Sequence, residues 1–261
     1  GRRVLTHPER LDFGLTEEDT AQLGLPCGGH LQILLERLTP TAAIIEGFET
    51  VVAALRARQT VLRDITLGAP GAFTVTAPAT PGPTLELPEA EAEADTPLRH
   101  RYGPGWQLFV IGAGMVSRYL AEMAQALDFR VTVCDPRQPM LDNWHVAGVR
   151  ALCQMPDDAI RAEASDARTA IVALTHDPRI DDMGLMEALE TDAFYVGAMG
   201  SSRTSASRRA RLAELAVPEA ALAKLHAPVG LPIGSKTPPE IAIAILAELI
   251  QARRQAASPS P

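Results

Sequence analysis

Three short stretches combine residue types and spacings that could hold an anion. Gly112-x-Gly114-x-x-Ser117 follows the apolar run Trp106-Gln107-Leu108-Phe109-Val110-Ile111 and opens a segment of helical spacing. In that context two glycines let the backbone approach a phosphate at a helix N-terminus, where free amides and the helix dipole favour negative charge. Ser117 stands where a third glycine ordinarily permits close helix–strand packing. Asp135 ends the next strand about 20 residues on, the place from which a carboxylate accepts ribose hydroxyls. Arg137 suits either an extra phosphate or a solvated loop. Gly197-Ala198-Met199-Gly200-Ser201-Ser202-Arg203 joins a later strand to a helix. Gly197, Gly200, Ser201 and Arg203 there supply a second cradle of backbone donors, a hydroxyl and a cation. Leu174-Thr175-His176-Asp177 closes the strand between them. His176 could donate to an anion or ligate a metal, or be an ordinary loop histidine, while Asp177 can cap the helix that Pro178 begins.

Other reactive side chains are read more plainly. Cys27, in Leu25-Pro26-Cys27-Gly28-Gly29, is a soft ligand for a metal or sulfur, or a small hydrophobe beside a turn. Cys134 and Cys153 are expected to be inert strand-core residues. Arg208, Arg209 and Arg211 are expected on a solvated helix face, and Glu240 in the first turn of the last helix, where the dipole favours an acid.

The elements that must position these groups follow from periodicity. Strands are expected at Trp106–Ile111, Arg130–Cys134, Val149–Cys153, Ala170–Leu174 and Phe194–Val196. Helices are expected from Met115 to Leu127, Asp181 to Glu190, Thr204 to Leu215 and Pro238 to Arg254. Short continuous apolar strands alternating with helices indicate a parallel sheet covered on both faces. The fold class expected is α/β, with a Rossmann-like, doubly wound C-terminal domain over 106–255 and a polar tail at 256–261. Residues 1–76 read as a smaller α+β domain, with a helix through Ile44, Phe48, Val51 and Leu55 and β-like segments near Val61–Leu67 and Phe73–Thr76. Between them, 77–105 reads as a linker rich in Pro, Ala and Glu.

Composition narrows the function classes. With 24 Lys plus Arg against 32 Asp plus Glu, the formal charge of −8 opposes general nucleic-acid binding, so any anion site must be local. No apolar run approaches the roughly 20 residues of a membrane span, and a cytoplasmic protein is expected. Three cysteines at wide spacing suggest neither a disulfide framework nor a structural zinc site.

In register, these motifs resemble the XdhC/CoxI family of accessory proteins for molybdenum hydroxylases such as xanthine dehydrogenase. The resemblance rests on Gly24-Leu25-Pro26-Cys27-Gly28-Gly29, Val110-Ile111-Gly112-Ala113-Gly114, Asp135-Pro136-Arg137, Leu174-Thr175-His176-Asp177, Tyr195-Val196-Gly197-Ala198-Met199-Gly200-Ser201 and Ala227-Pro228-Val229-Gly230-Leu231-Pro232-Ile233-Gly234. It implies a chaperone that binds molybdenum cofactor, a molybdopterin with or without an added nucleotide, and shields it. It further implies sulfuration of the cofactor with a cysteine desulfurase, delivery to a molybdenum hydroxylase client, and a possible homodimer. Carried onto this chain, cofactor binding falls to Cys27, Gly112, Gly114, Ser117, Asp135, His176, Gly197, Gly200, Ser201 and Arg203, with Cys27 as the molybdenum or sulfur contact and no catalytic residue. The family's upstream Gly-Gly-Cys-Ile-Glu-type segment is not found, and with Gly1 in place of Met an incomplete first domain is expected. Two other readings stay open at this point. One is an NAD(P)-dependent oxidoreductase built on Gly112, Gly114 and Asp135, and the other a nucleotide-sensing interaction module.

Overall fold

The computed structural model describes residues 5–6, 8–13, 31–66, 74–76, 85–86 and 98–257. The chain forms two compact units, Gly1–Pro104 and Gly105–Pro261.

In the first unit, β1 (Glu9–Phe13) and β2 (Leu31–Leu35) pair antiparallel. Helix α1 (Ala42–Arg56) starts at Thr41, whose side chain accepts the Ile44 amide. A four-stranded antiparallel sheet follows in the order β4-β3-β6-β5, from β3 (Val61–Ile65), β4 (Thr74–Thr76), β5 (Leu85–Glu86) and β6 (Leu98–Tyr102). Along β3 the buried residues alternate, Val61, Arg63 and Ile65, as one sheet face turns inward. Val61 packs with Val51 and Ala54 of α1. Arg63 is tolerated on that face because Glu36 pairs with it and its guanidinium lies 5.3 Å from the centre of the Phe48 ring. Strands β5 and β6 both fall inside the stretch read as linker, and the unit boundary comes at Pro104. The basic residues of Leu98-Arg99-His100-Arg101-Tyr102 hide a strand whose partner, β3, is distant in sequence.

The second unit is a six-stranded, wholly parallel sheet in the order β12-β11-β10-β7-β8-β9. Its strands are β7 (Gln107–Ile111), β8 (Arg130–Cys134), β9 (Arg150–Leu152), β10 (Thr169–Ala173), β11 (Tyr195–Ala198) and β12 (Leu225–His226). Helices α2 (Met115–Gln125), α3 (Gln138–Asp142), α4 (Pro156–Glu163), α5 (Pro178–Glu190), α6 (Ser202–Glu214), α7 (Glu219–Leu222) and α8 (Pro238–Ala257) connect and cover them. Both faces of the sheet are apolar. Leu108 and Val110 meet Leu120 and Ala124 of α2 and Ile245 and Leu249 of α8, while Phe109 and Ile111 meet Ile160, Leu185 and Leu212 of α4, α5 and α6. Each such side chain contributes about 1.5–3 kcal/mol by leaving water, so the middle strands anchor the loops at their ends. Strand β12 and helices α3, α4 and α7 add to the elements expected from periodicity. Each has fewer than nine residues, too short for a pattern to repeat.

Candidate functional site

Numbered within the second unit, the strand order is that of a Rossmann sheet, and the order in which strands are added reverses between β7 and β10. Ligands in such sheets bind outside the carboxyl ends of the strands at that reversal. Gly112 and Thr175 meet there. Gly112 has φ +105°, and a Cβ on it would lie 2.7 Å from Thr175 Cγ2 and 3.1 Å from the Thr175 Cα and N. Its glycine is therefore required by the close approach of two strand ends.

The donors of this first turn are largely consumed within the protein. The Gly112 amide donates to the Cys134 carbonyl at 2.8 Å, and the Ala113 amide to Asp135 Oδ2 at 3.0 Å. The Gly114 amide donates to Ser117 Oγ at 2.7 Å, and Ser117 Oγ donates back to the Gly114 carbonyl. Ser117 is wholly buried and pins the loop to its own helix. Asp135 is also wholly buried, and it accepts from the amide, Nε and Nη2 of Arg137 at 3.0, 2.8 and 2.8 Å. Burial alone would raise this carboxyl, but the bonds from Arg137 and the Ala113 amide outweigh it and hold it below its ordinary range. A ribose hydroxyl would reach Asp135 only by displacing Arg137. Of the first turn's donors, the amides of Met115 and Val116, at the head of α2, have no acceptor among the described residues.

The turn after β11 is organised differently. Its entry is tied down by the Met199 amide, which donates to the Ala173 carbonyl at 2.9 Å. Ser201 caps α6: its Oγ accepts the Thr204 amide at 3.1 Å, and Thr204 Oγ1 accepts the Ser201 amide at 3.3 Å. The amides of Gly200, Ser202 and Arg203 have no acceptor among the described residues. Ser201, Ser202 and Arg203 are all exposed, and Arg203 has no ion-pair partner there. Gly197 lies below the turn, buried in β11, where a Cβ would sit 2.7 Å from both Tyr195 Cε1 and Val229 Cγ2.

A buried ionic chain joins the two strand ends. Thr175 donates to Asp181 Oδ1 from its hydroxyl at 2.7 Å and its amide at 3.2 Å. Arg208 reaches the other Asp181 oxygen at 3.0 Å and the Met199 carbonyl at 3.0 Å, and its Nε faces Asp182. Arg211 completes the set with a 2.6 Å bond to Asp182. The expectation of a solvated face for Arg208, Arg209 and Arg211 is thus corrected: Arg208 is 3% exposed, and Arg209 donates to the carbonyls of Leu222 and Leu225. Three arginines within four residues look like surface charge, but the buried acids of α5 draw Arg208 and Arg211 inward, and two backbone carbonyls hold Arg209. Burial raises the Asp181 carboxyl above its ordinary range, against the opposing pull of Thr175 and Arg208. Asp181 and Asp182 are legible in the sequence only as an unexplained acidic pair near the start of a helix.

His176 is exposed at the rim, with φ +63°, and Asp177 caps α5 by accepting the Arg179 amide at 3.0 Å. A second cluster, Tyr195, His226 and Glu248, leaves no signal in the sequence. Tyr195 OH and His226 Nδ1 each lie 2.7 Å from a Glu248 oxygen, and the Gly230 amide donates to the same carboxylate. Residues so far apart converge only once the sheet and α8 are packed. Glu240 accepts the amides of Lys236 and Thr237 as a cap. Cys27 lies outside the described residues. Cys134 is buried, and burial pushes its thiol up to about 12. Cys153, by contrast, is exposed, which corrects its reading as a core residue: β9 ends at Leu152, and the Cys153 Sγ lies 3.7 Å from the Pro136 carbonyl. Among the described residues no group of three His, Cys, Asp or Glu side chains is placed to hold a metal ion. No helix among them is long and apolar enough to cross a membrane.

Comparison with known proteins agrees with this architecture. The model of the XdhC Rossmann domain matches residues 108–249. A protein of Bacillus subtilis described as a probable xanthine dehydrogenase component is 28% identical over 175 residues, 67% of this chain and 51% of that protein. YqeB of Escherichia coli, an uncharacterized protein, is 33% identical over 58% of this chain and 28% of its own length. The molybdenum cofactor insertion chaperone PaoD of Escherichia coli is 34% identical over 37% of this chain and 31% of its own. These matches span about half or less of each relative. A crystal structure of a xanthine dehydrogenase from Bacillus halodurans superposes with a TM-score of 0.67 at 25% identity, over 97% of this chain and 78% of that one.

Proposed function

The chain belongs to the XdhC family, and from that premise we propose that it is a molybdenum cofactor chaperone, holding the cofactor by its anionic end at the strand-end cleft. The observation that carries this reading is the open head of α6, where the Gly200, Ser202 and Arg203 amides stand free beside exposed Ser201 and Arg203. A pterin phosphate is a compact dianion, and such a set of amides, hydroxyls and one guanidinium suits it. Gly112, Gly114 and Ser117 shape the cleft floor beside it. Gly197 lets Tyr195 and Val229 close beneath the turn, and His176 lines the rim. When bound, the cofactor supplies molybdenum and its dithiolene; the chain supplies anchorage and shielding. Cys27 is the soft ligand we assign to the molybdenum or to sulfur transfer.

In this reading the protein accepts help from a cysteine desulfurase in the cytoplasm, supports sulfuration, and delivers the cofactor to a xanthine dehydrogenase-type client. The names of the Bacillus subtilis and PaoD relatives support that direction. The dinucleotide alternative gains no support from Asp135, whose carboxylate is enclosed by Arg137 and Ala113. Protein produced in a molybdenum-replete cell should carry molybdenum together with a pterin that fluoresces after oxidation. Nicotinamide alone in the purified protein would overturn the proposal. Cys27→Ala should lower sulfuration of the client; unchanged cofactor retention and client activation would remove Cys27 from the site.

A further inference from the structure

The turn after β11 is aimed from beneath. Met199 is held at both ends: its amide donates to the Ala173 carbonyl at 2.9 Å, and its carbonyl accepts Arg208 Nη1 at 3.0 Å. In a trans peptide the carbonyl and the N–H that follows it point in opposite directions. A Met199 carbonyl turned inward onto Arg208 therefore turns the Gly200 amide outward. Arg208 is not free to follow a different peptide, because its Nη2 is bonded to Asp181 at 3.0 Å and its Nε faces Asp182. Asp181, wholly buried, is fixed in turn by the hydroxyl and amide of Thr175.

A second direction is open to the same peptide. Ser205 is 3% exposed, and its hydroxyl has no hydrogen-bond partner among the described residues. Side chains on a helix lean toward its N-terminus, so this hydroxyl faces the turn. A Cβ on Gly200 would lie 3.6 Å from Ser205 Oγ and 3.7 Å from Arg208 Nη1. Leaving a buried hydroxyl unpaired is costly, and a Gly200 amide turned inward would satisfy it. Glycine permits either direction, having no Cβ to hinder rotation of the peptide before it. We propose that Arg208 is the positioning residue of the anion site at the head of α6, holding the Met199–Gly200 peptide with its amide outward against the pull of Ser205. This rests on that helix head being the phosphate site. The chain from Thr175 through Asp181 to Arg208 then sets whether Gly200 joins Ser202 and Arg203 in offering an amide to the ligand.

Titration of the isotope-labelled full chain with sulfate, followed amide by amide by NMR, tests it. In the wild type the Gly200, Ser202 and Arg203 amides should each shift as sulfate binds. Arg208→Lys keeps a positive charge between Asp181 and Asp182 but has no fork to reach the acids and the Met199 carbonyl together. In that variant Ser202 and Arg203 should still shift at saturation and Gly200 should not, and the sulfate dissociation constant should rise about tenfold, the loss of one charge-assisted bond. Adding Ser205→Ala removes the inward partner and should bring the constant back to within about threefold of the wild type, with the Gly200 response restored. Ser205→Ala alone should bind sulfate as tightly as the wild type or up to about threefold more tightly. A Gly200 response that survives Arg208→Lys, the loss of every response in that variant, a double variant no tighter than Arg208→Lys, or weaker binding by Ser205→Ala would overturn the proposal and leave the phosphate site standing. A wild type in which none of these amides responds to sulfate would remove the phosphate site, and the proposal with it.

Discussion

The two glycine-rich turns of the cleft look alike in sequence and differ in what they leave available. After β7, three successive amides and a buried serine bond within the protein, and Asp135 is enclosed by Arg137. After β11, the cap uses only Ser201 and Thr204, and the amides that follow remain open beside Arg203. A glycine signature therefore marks where two chain segments approach closely; whether an anion can sit there depends on which donors the fold has already engaged. In the first turn glycine serves packing against Thr175, and in the second it leads into a solvent-facing helix end.

The largest effect should come from the residue that ties the end of β10 to the turn after β11. Arg208→Ala leaves Asp181 and Asp182 buried with Arg211 alone, and we expect a loss of about 3–5 kcal/mol in urea unfolding. A loss within that of an ordinary surface substitution would show that the strand ends are not joined through this chain. Gly112→Val comes next. Its Cβ would press on the Thr175 backbone at a φ unsuited to valine, so stability should fall by about 2–4 kcal/mol by thermal or urea unfolding. A stable variant that merely loses cofactor would restore the first turn as the ligand contact.

The two buried carboxylates should titrate in opposite senses. Asp135 is held below its ordinary 3.8, so its contribution is present above that value and is lost as pH falls through its folded pKa. Asp181 is raised above 3.8, so its ionisation costs the folded state, and stability declines as pH rises from 3.8 through its folded pKa. Asp135→Asn should flatten the acid limb of the urea-midpoint profile, and Asp181→Asn should remove the decline above it. Parallel changes in the two variants would contradict the opposite shifts of the two carboxyls. The smallest effect is chemical: iodoacetamide on the native protein, read by peptide mass, should modify exposed Cys153 and spare Cys134. Cofactor retention should not change in Cys153→Ala, since Cys153 Sγ lies against the Pro136 carbonyl after β8. Its loss would place the cofactor there.

Much of this architecture is legible in the chain. The β7 and β10 strands read as continuous apolar runs because both sheet faces are covered, and the turns announce themselves by glycine next to such runs. Charge pairing is harder to see. Arg208 pairs with acids more than 20 residues away, and Glu248 gathers Tyr195 and His226 from two other elements; neither leaves a local pattern. Cys153 reads as core because its apolar run continues one residue past the point where β9 stops.

A matched pair of prolines tests the central claim most directly. Met115 and Ser202 each open a helix, follow an extended residue, and offer one free amide to the cleft. Proline is well tolerated at that position and deletes the amide donor, together with the native side chain. Each variant, made in a molybdenum-replete cell, is assayed for pterin fluorescence after oxidation per mole of protein. We expect Met115→Pro to match the wild type and Ser202→Pro to retain about one tenth or less, the loss of one charge-assisted bond to phosphate. The reverse pattern, with Met115→Pro empty and Ser202→Pro loaded, would contradict the account.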